Sequence, residues 1–174
     1  MPKIIEHLRE TLLAEARKQV ETHGFAATTI RSVAAACNVG VGTVYNYFPS
    51  KELLVAAYML EDWQTCMNDI RTALAGAPDA ASTLGCIYRG LTEFNEAHRS
   101  LFADRDATVV FASAGSDKHP LLRRQIADLL LPLTADLPGD RVFLGEFIAE
   151  ALITWSTEGR PFHDVFPIIQ KLLQ

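Results

Sequence analysis

A chain of 174 residues with 49% apolar and 21% charged side chains can bury a real core, and its composition excludes a disordered or low-complexity protein. Net charge is −5, which on its face argues against nucleic acid, but the charge is unevenly spread. Residues 1–52 hold six Lys/Arg against five Asp/Glu (+1) and residues 53–174 hold ten against sixteen (−6), so the N-terminal part remains free to meet phosphate.

The first ten residues, MPKIIEHLRE, carry charge at once and contain neither an apolar h-region nor a small-residue cleavage site. The expected compartment is the cytoplasm. Apolar residues at Ile5, Leu8, Leu12, Ala16 and Val20 then fall three and four apart, predicting a first helix that ends at Gly24. Thr28 or Thr29 can cap a second helix with Ile30, Val33, Ala34 and Cys37 inward, ending near Asn38. Ser32 to Ser50 is an uncharged run of nineteen residues. Asn38, Gly40, Gly42, Thr43, Asn46 and Pro49 interrupt it, which rules out a membrane span. Nor is it a dinucleotide loop, because the third position of G-x-G-x-x-G falls on Tyr45.

A third short helix is predicted from Val41 to about Phe48, and a fourth from Ser50, its natural cap, past Arg71. Two short helices joined at CNVG form a helix-turn-helix pattern. Asn38 tolerates the left-handed conformation such a turn needs, and Gly42 lets the backbone come close to whatever the helix faces. Val44 and Phe48, four apart, turn inward.

Later segments keep the helical period, with breaks at AGAPD (75–79), SAGSDKHP (113–120), LPGD (137–140) and EGRP (158–161). Pro120 fits the first turn of a helix, Pro132 must kink or end one, and Pro167 is tolerable if the last helix begins near Asp164. No strand pattern appears, so the expected fold class is all-α. Cys37, Cys66 and Cys86 are odd in number with no C-x-x-C pair, which predicts buried free thiols rather than disulfides or zinc.

The N-terminal pattern resembles the TetR family of transcriptional regulators. Gly24, Thr28, Thr29, Ile30, Val33-Ala34, Gly42-Thr43-Val44-Tyr45-Asn46-Tyr47-Phe48 and Ser50-Lys51-Glu52-Leu53 carry the resemblance, over roughly residues 5–55. Two positions depart from the family pattern: the usual Gly-Val-Ser turn is Asn38-Val39-Gly40, and the usual acid of the second helix is Ser32.

The resemblance implies a helix-turn-helix DNA-binding domain at 1–50 and a helical effector-binding and dimerisation domain at 51–174. It implies Val41, Gly42, Thr43, Tyr45 and Asn46 on the face turned to the major groove and Thr29, Tyr47 and Lys51 on phosphates, with Arg31 able to do either. The function so implied is that of a dimeric repressor released from a pseudo-palindromic operator by a small molecule. Apolar content favours a hydrophobic or amphipathic effector. The alternative is a helical adaptor that grips a protein partner with the same unit, without DNA.

Trp63, Met67, Phe94, Phe102, Phe111 and Trp155 are the candidates to line an effector cavity, although aromatic residues at helical spacing are usually core. From Val142 to Trp155 the apolar arc is too wide for one buried face, which predicts dimerisation through Phe143, Phe147 and Ala151 together with Phe166 and Ile169 of the final helix. Enzyme chemistry, metal ligation and a cofactor are not expected. His98 lies off the face shared by Glu93 and Glu96, with Asp104 and Asp106 beyond it, and Ser113 and Ser116 lack a G-x-S-x-G context. Glu146 and Glu150 read as a solvated or interface edge.

Overall fold

A computed structural model describes residues 7–104, 118–135, 137 and 139–174, and every regular element among them is helical. In chain order these are α1 (Leu8–His23), α2 (Ile30–Ala36), α3 (Val41–Tyr47), α4 (Lys51–Leu74), α5 (Ala80–Ala97), α6 (Arg99–Phe102), α7 (Lys118–Thr134), α8 (Arg141–Thr157) and α9 (Phe162–Leu172). Packing divides the chain into two units, Met1–Asp62 with His98–Ala114 and Trp63–Ala97 with Gly115–Gln174. None of the described helices is long and apolar enough to cross a membrane.

In the first unit the three-and-four spacing of α1 buries Leu8, Leu12, Leu13, Ala16 and Val20 on one stripe, and Gly24 ends the helix at φ 83°, donating to the Val20 carbonyl at 2.9 Å. That stripe meets Phe25, Ile30, Val33, Ala34, Val44, Phe48, Leu54 and Tyr58 in a single core. Ile5, the first residue of the predicted stripe, lies outside the described residues.

The second helix is capped by Thr29. Its hydroxyl accepts from the Ser32 N–H at 3.0 Å, and the Ser32 hydroxyl accepts from the Thr29 N–H at 3.0 Å. This reciprocal box normally uses Glu or Gln at the third position, so the serine that departs from the family pattern still closes it. Thr29→Ala is expected to cost about 1 kcal/mol, read as a lower urea midpoint with unchanged helical circular dichroism. An unchanged midpoint would show the cap to be idle.

The second unit gathers Trp63, Met67 and Ile70 of α4, Leu84, Ile87, Tyr88 and Leu91 of α5, Ile126 and Leu130 of α7, Ile148, Ala149 and Leu152 of α8, and Val165 and Ile169 of α9. Asp79 caps α5 by accepting from the Ser82 N–H at 2.7 Å, and Asp140 caps α8 by accepting from the N–H groups of Val142 and Phe143. Helices α4 and α5 approach closely at Gly90, where a Cβ would lie 2.5 Å from Ile70 Cγ1. The Cys66 thiol there donates to the Gly90 carbonyl, and burial pushes its pKa up to about 11.

Three expectations are corrected here, those for the thiols, Pro167 and the Glu146/Glu150 pair. The three thiols are free but only half-buried. Pro132, expected to kink or end its helix, stands in the last turn of α7, which stops two residues later at Thr134. Pro167 is not in the first turn, because α9 already begins at Phe162. The bond it removes would have gone to the carbonyl of His163, a residue on the exposed side of the helix that water can serve. Glu146 and Glu150 are not a bare solvated edge: Arg123 lies 3.4 Å from the first and 3.6 Å from the second, and Arg124 lies 3.7 Å from Glu146, so α7 and α8 are joined by an ion-pair row.

Candidate nucleic-acid interface

The turn between α2 and α3 follows from one residue. Asn38 adopts φ 54°, the left-handed conformation open to asparagine. The chain then doubles back so that the Val39 N–H reaches the Ala34 carbonyl at 3.0 Å and the Asn38 N–H reaches that of Ala35 at 3.1 Å. This pair of bonds is a Schellman cap, which satisfies the last carbonyls of α2 without a glycine. Gly40 then begins α3 in an extended conformation, its carbonyl accepting from Thr43 and Val44.

Helix α3 fixes itself through Val44, which is 0% exposed, and through Phe48 just beyond its end. The opposite face is left to solvent: Tyr45 is 51% and Tyr47 45% exposed, with Gly42 and Asn46 also exposed and Val41 and Thr43 half-buried. Tyrosines buried in a core would find partners for their hydroxyls; two standing in water on seven residues of helix present hydrogen-bonding groups outward. Gly42 has a helical backbone, and a Cβ placed on it would meet nothing within 4 Å, so nothing inside the described chain requires a glycine there.

Around this face Thr29 and Arg31 are exposed at the start of α2, and Arg31 has no ion-pair partner among the described residues. Thr29 is held by a relay: the Glu15 carboxylate accepts from the Gln19 amide at 2.7 Å, and the Ser32 hydroxyl lies 2.6 Å from Gln19 Oε1. Lys51 is different. Its Nζ donates to the Phe25 carbonyl at 2.8 Å and sits 3.9 Å from the centre of the Phe25 ring. Two further cations of the unit are engaged internally, Arg9 with Glu61 and Arg17 with both oxygens of Asp62.

The predicted effector residues do not form one group. Trp63, Met67, Phe94 and Trp155 belong to the second unit's core, where the Trp63 and Phe94 rings meet edge-on at 5.3 Å and the Trp63 indole donates to Gln125 Oε1 at 2.6 Å. Beside them an open groove of about 250 Å3 is lined by Trp63, Gln64, Met67, Asn68, Arg71 and Gln125. Phe102 belongs to the first unit and stands 42% exposed, its ring 6.1 Å from that of His98. Phe111 lies outside the described residues, as do Asp106, Ser113 and Ser116.

His98 is 6% exposed and lies 3.0 Å from Asp62. No His/Cys/Asp/Glu group suited to a metal ion occurs among the described residues.

Of the predicted dimer residues, Phe143 is 68% and Phe147 52% exposed, their rings 6.4 Å apart, and Ala151 and Phe166 are half-buried. Ile169 is 0% exposed and packs in its own unit, because α9 turns Val165 and Ile169 inward together. Ile168 and Leu172, 53% and 39% exposed, take the outward place, and Val142 at 64% extends the apolar set on α8.

Residues 12–58 match the family model for bacterial regulatory proteins of the tetR family. A curated relative, the HTH-type transcriptional regulator UidR of Escherichia coli strain K12, is 29% identical over 68 residues, which are 39% of this chain and 35% of UidR. The chain thus spans about a third of the length of the curated relative it matches. Among solved structures, FadR of Thermus thermophilus, a TetR-family transcriptional repressor in complex with lauroyl-CoA, aligns with TM-score 0.64 at 23% identity over 95% of this chain and 92% of that one. A TetR-family regulator from Pectobacterium atrosepticum aligns with TM-score 0.68 at 22% identity over 87% and 81%. At such identities the likeness shows the fold, an N-terminal helix-turn-helix followed by a helical domain.

Proposed function

We propose that this chain, whose residues 12–58 match the model for bacterial regulatory proteins of the tetR family, acts in the cytoplasm as a dimeric repressor. In this reading it occupies a pseudo-palindromic operator and is released by a small molecule. The observation that carries it is the outward face of α3, with Tyr45, Asn46 and Tyr47 in solvent beside an unobstructed Gly42. Helices of this size fit the major groove, where amide and hydroxyl groups read base edges.

Val41, Gly42, Thr43, Tyr45 and Asn46 are assigned to base edges, and Thr29, Tyr47 and Arg31 to phosphates. Selection of bound duplexes from random DNA, followed by competition with unrelated duplex, tests the assignment. Asn46→Ala is expected to lose about 1–3 kcal/mol on the selected sequence and to relax preference at one base pair. Tyr47→Phe is expected to weaken selected and unrelated DNA alike. Equal losses on both DNAs for both variants would remove the division of roles, and a wild-type protein that enriches no duplex would remove the DNA reading itself.

The effector is assigned to the second unit near Trp63 and Met67, with Phe94 and Trp155 in the same core. Their apolar surfaces together with Gln64, Asn68 and Arg71 suit a hydrophobic or amphipathic molecule. The lauroyl-CoA complex of the Thermus FadR neighbour supports that class. Dimerisation is assigned to α8 and α9 through Val142, Phe143, Phe147, Ile168 and Leu172, with Ala151 and Phe166 at the margin.

A further inference from the structure

Lys51 opens α4 three residues after Phe48, at the edge of the candidate interface, where a lysine would ordinarily be expected to hold a DNA phosphate. Its ammonium is already engaged. Nζ donates to the Phe25 carbonyl at 2.8 Å and lies 3.9 Å from the centroid of the Phe25 ring, while that residue is 3% exposed and fixed in the core of the first unit. A charge-assisted hydrogen bond and a cation–π contact on the same residue hold the ammonium in one place. The placement also runs against the helix dipole, which disfavours a cation in the first turn of a helix. The tertiary partner therefore accounts for the lysine better than local helix electrostatics does.

The geometry of the tie gives it a purpose. Phe25 belongs to the turn that begins at Gly24 and leads to Thr29, and Thr28 in the same turn is buried, its hydroxyl donating to the Gly24 carbonyl at 2.9 Å. Lys51 follows α3 directly. A bond from Lys51 to Phe25 spans 26 residues and joins the entrance of α2 to the exit of α3. At the other end of the pair, the Asn38 turn sets the angle between the two helices.

We propose that Lys51 is a positioning residue: it clasps the two ends of the helix-turn-helix segment through Phe25, and so fixes the angle at which α3 is presented, rather than neutralising a phosphate. This rests on the DNA-binding reading above.

The clasp is tested in Lys51→Met, which keeps the aliphatic stem, with Phe25→Leu as a second variant that keeps buried bulk but removes the ring, and Lys51→Arg as the conservative control. Without DNA, amide hydrogen exchange of residues 25–29 is expected to accelerate in Lys51→Met and Phe25→Leu and to return toward wild type in Lys51→Arg. On the tightest duplex selected by the wild-type protein, Lys51→Met is expected to lose about tenfold in affinity, the scale of one charge-assisted hydrogen bond, with the salt slope unchanged.

Unaltered exchange in Lys51→Met would overturn the clasp whether or not the protein binds DNA. A salt slope shallower by about one per subunit would overturn it in favour of a phosphate contact. Faster exchange with unchanged affinity would reduce the clasp to fold maintenance and overturn its role in presenting α3. If the wild-type protein selects no duplex, the DNA reading fails by itself and the exchange measurement still decides the tie.

Discussion

Replacing Phe143 with arginine is expected to release folded monomers and to lower operator affinity by at least about a hundredfold, because a dimer holds two half-sites one or more helical turns apart and a monomer holds one. The argument starts from α8, whose sequence is apolar nearly all round. Its inner face, Ile148, Ala149 and Leu152, is fully buried against its own unit, and Gly145 lets α7 approach to 3.6 Å from a Cβ position. The remaining apolar residues have nowhere to go: Val142, Phe143 and Phe147 are 64%, 68% and 52% exposed. Ile168 and Leu172 of α9 are exposed as well, and exposed apolar surface of this kind marks an interface.

Burying one phenylalanine is worth roughly 1.5–3 kcal/mol, and a two-fold axis counts each substitution twice. A guanidinium at both places therefore removes several kcal/mol and adds an unpaired charge to the interface. Since Phe143 touches little inside its own unit, the variant should keep its helical circular dichroism and unfolding midpoint. Light scattering at micromolar concentration decides the matter: a wild type that is already monomeric, or a variant that stays dimeric, would sink this assignment of the interface.

What the sequence makes legible here is whatever depends on neighbours a few residues away. The left-handed Asn38, the cap at Thr29, the inward pair Val44 and Phe48, and the cap of α4, where the Leu53 N–H donates to Ser50 Oγ at 3.2 Å, all follow from local chemistry. Tertiary partners are not written in spacing. Nothing in the run around Lys51 points to a ring 26 residues earlier, and nothing near Glu146 points to Arg123 and Arg124 on the preceding helix.

The last helix shows the intermediate case. A period of 3.6 says that Val165 and Ile169 share a face, and that Ile168 and Leu172 share the next one. Which face meets the chain's own core depends on α5 and α8, so period alone assigns Ile169 to the outside and passes over Ile168. In the same way the spacing of Trp63, Phe94 and Phe102 cannot tell that the third belongs to a different packing unit.

A hydrophobic or amphipathic effector is expected to weaken operator binding by a factor of about 5–150, corresponding to about 1–3 kcal/mol of coupling, and the operator must then weaken effector binding by the same factor. The second unit as it stands is a poor container: Trp63 and Met67 are only 5% and 2% exposed, and the groove beside them holds about 250 Å3, below the roughly 300–1,000 Å3 usual for small-molecule sites. A ligand that inserts between the Trp63 and Phe94 rings must bind a widened form, in which the Trp63 indole leaves Gln125 or the Phe94 edge. Such a ligand has different affinities for two states, which is the condition for switching; a ligand of equal affinity would shift nothing.

The residue before Trp63 on the same helix is Asp62, whose carboxylate accepts from the Arg17 guanidinium of α1 and lies 3.0 Å from His98. Asp62 is thus one residue along α4 from the groove, and its carboxylate is tied to the helix on which α2 packs. Asp62→Asn should then reduce the coupling factor more than it changes effector affinity in the absence of DNA. The measurement is a titration of each ligand that quenches Trp63 and Trp155 fluorescence, with and without the selected duplex, on wild type and Asp62→Asn. Identical binding constants with and without DNA for every such ligand on the wild type would mean that these molecules occupy the unit without switching it, and the effector assignment would have to be given up. A coupling factor preserved in Asp62→Asn would leave the effector in place and remove Asp62 from the route.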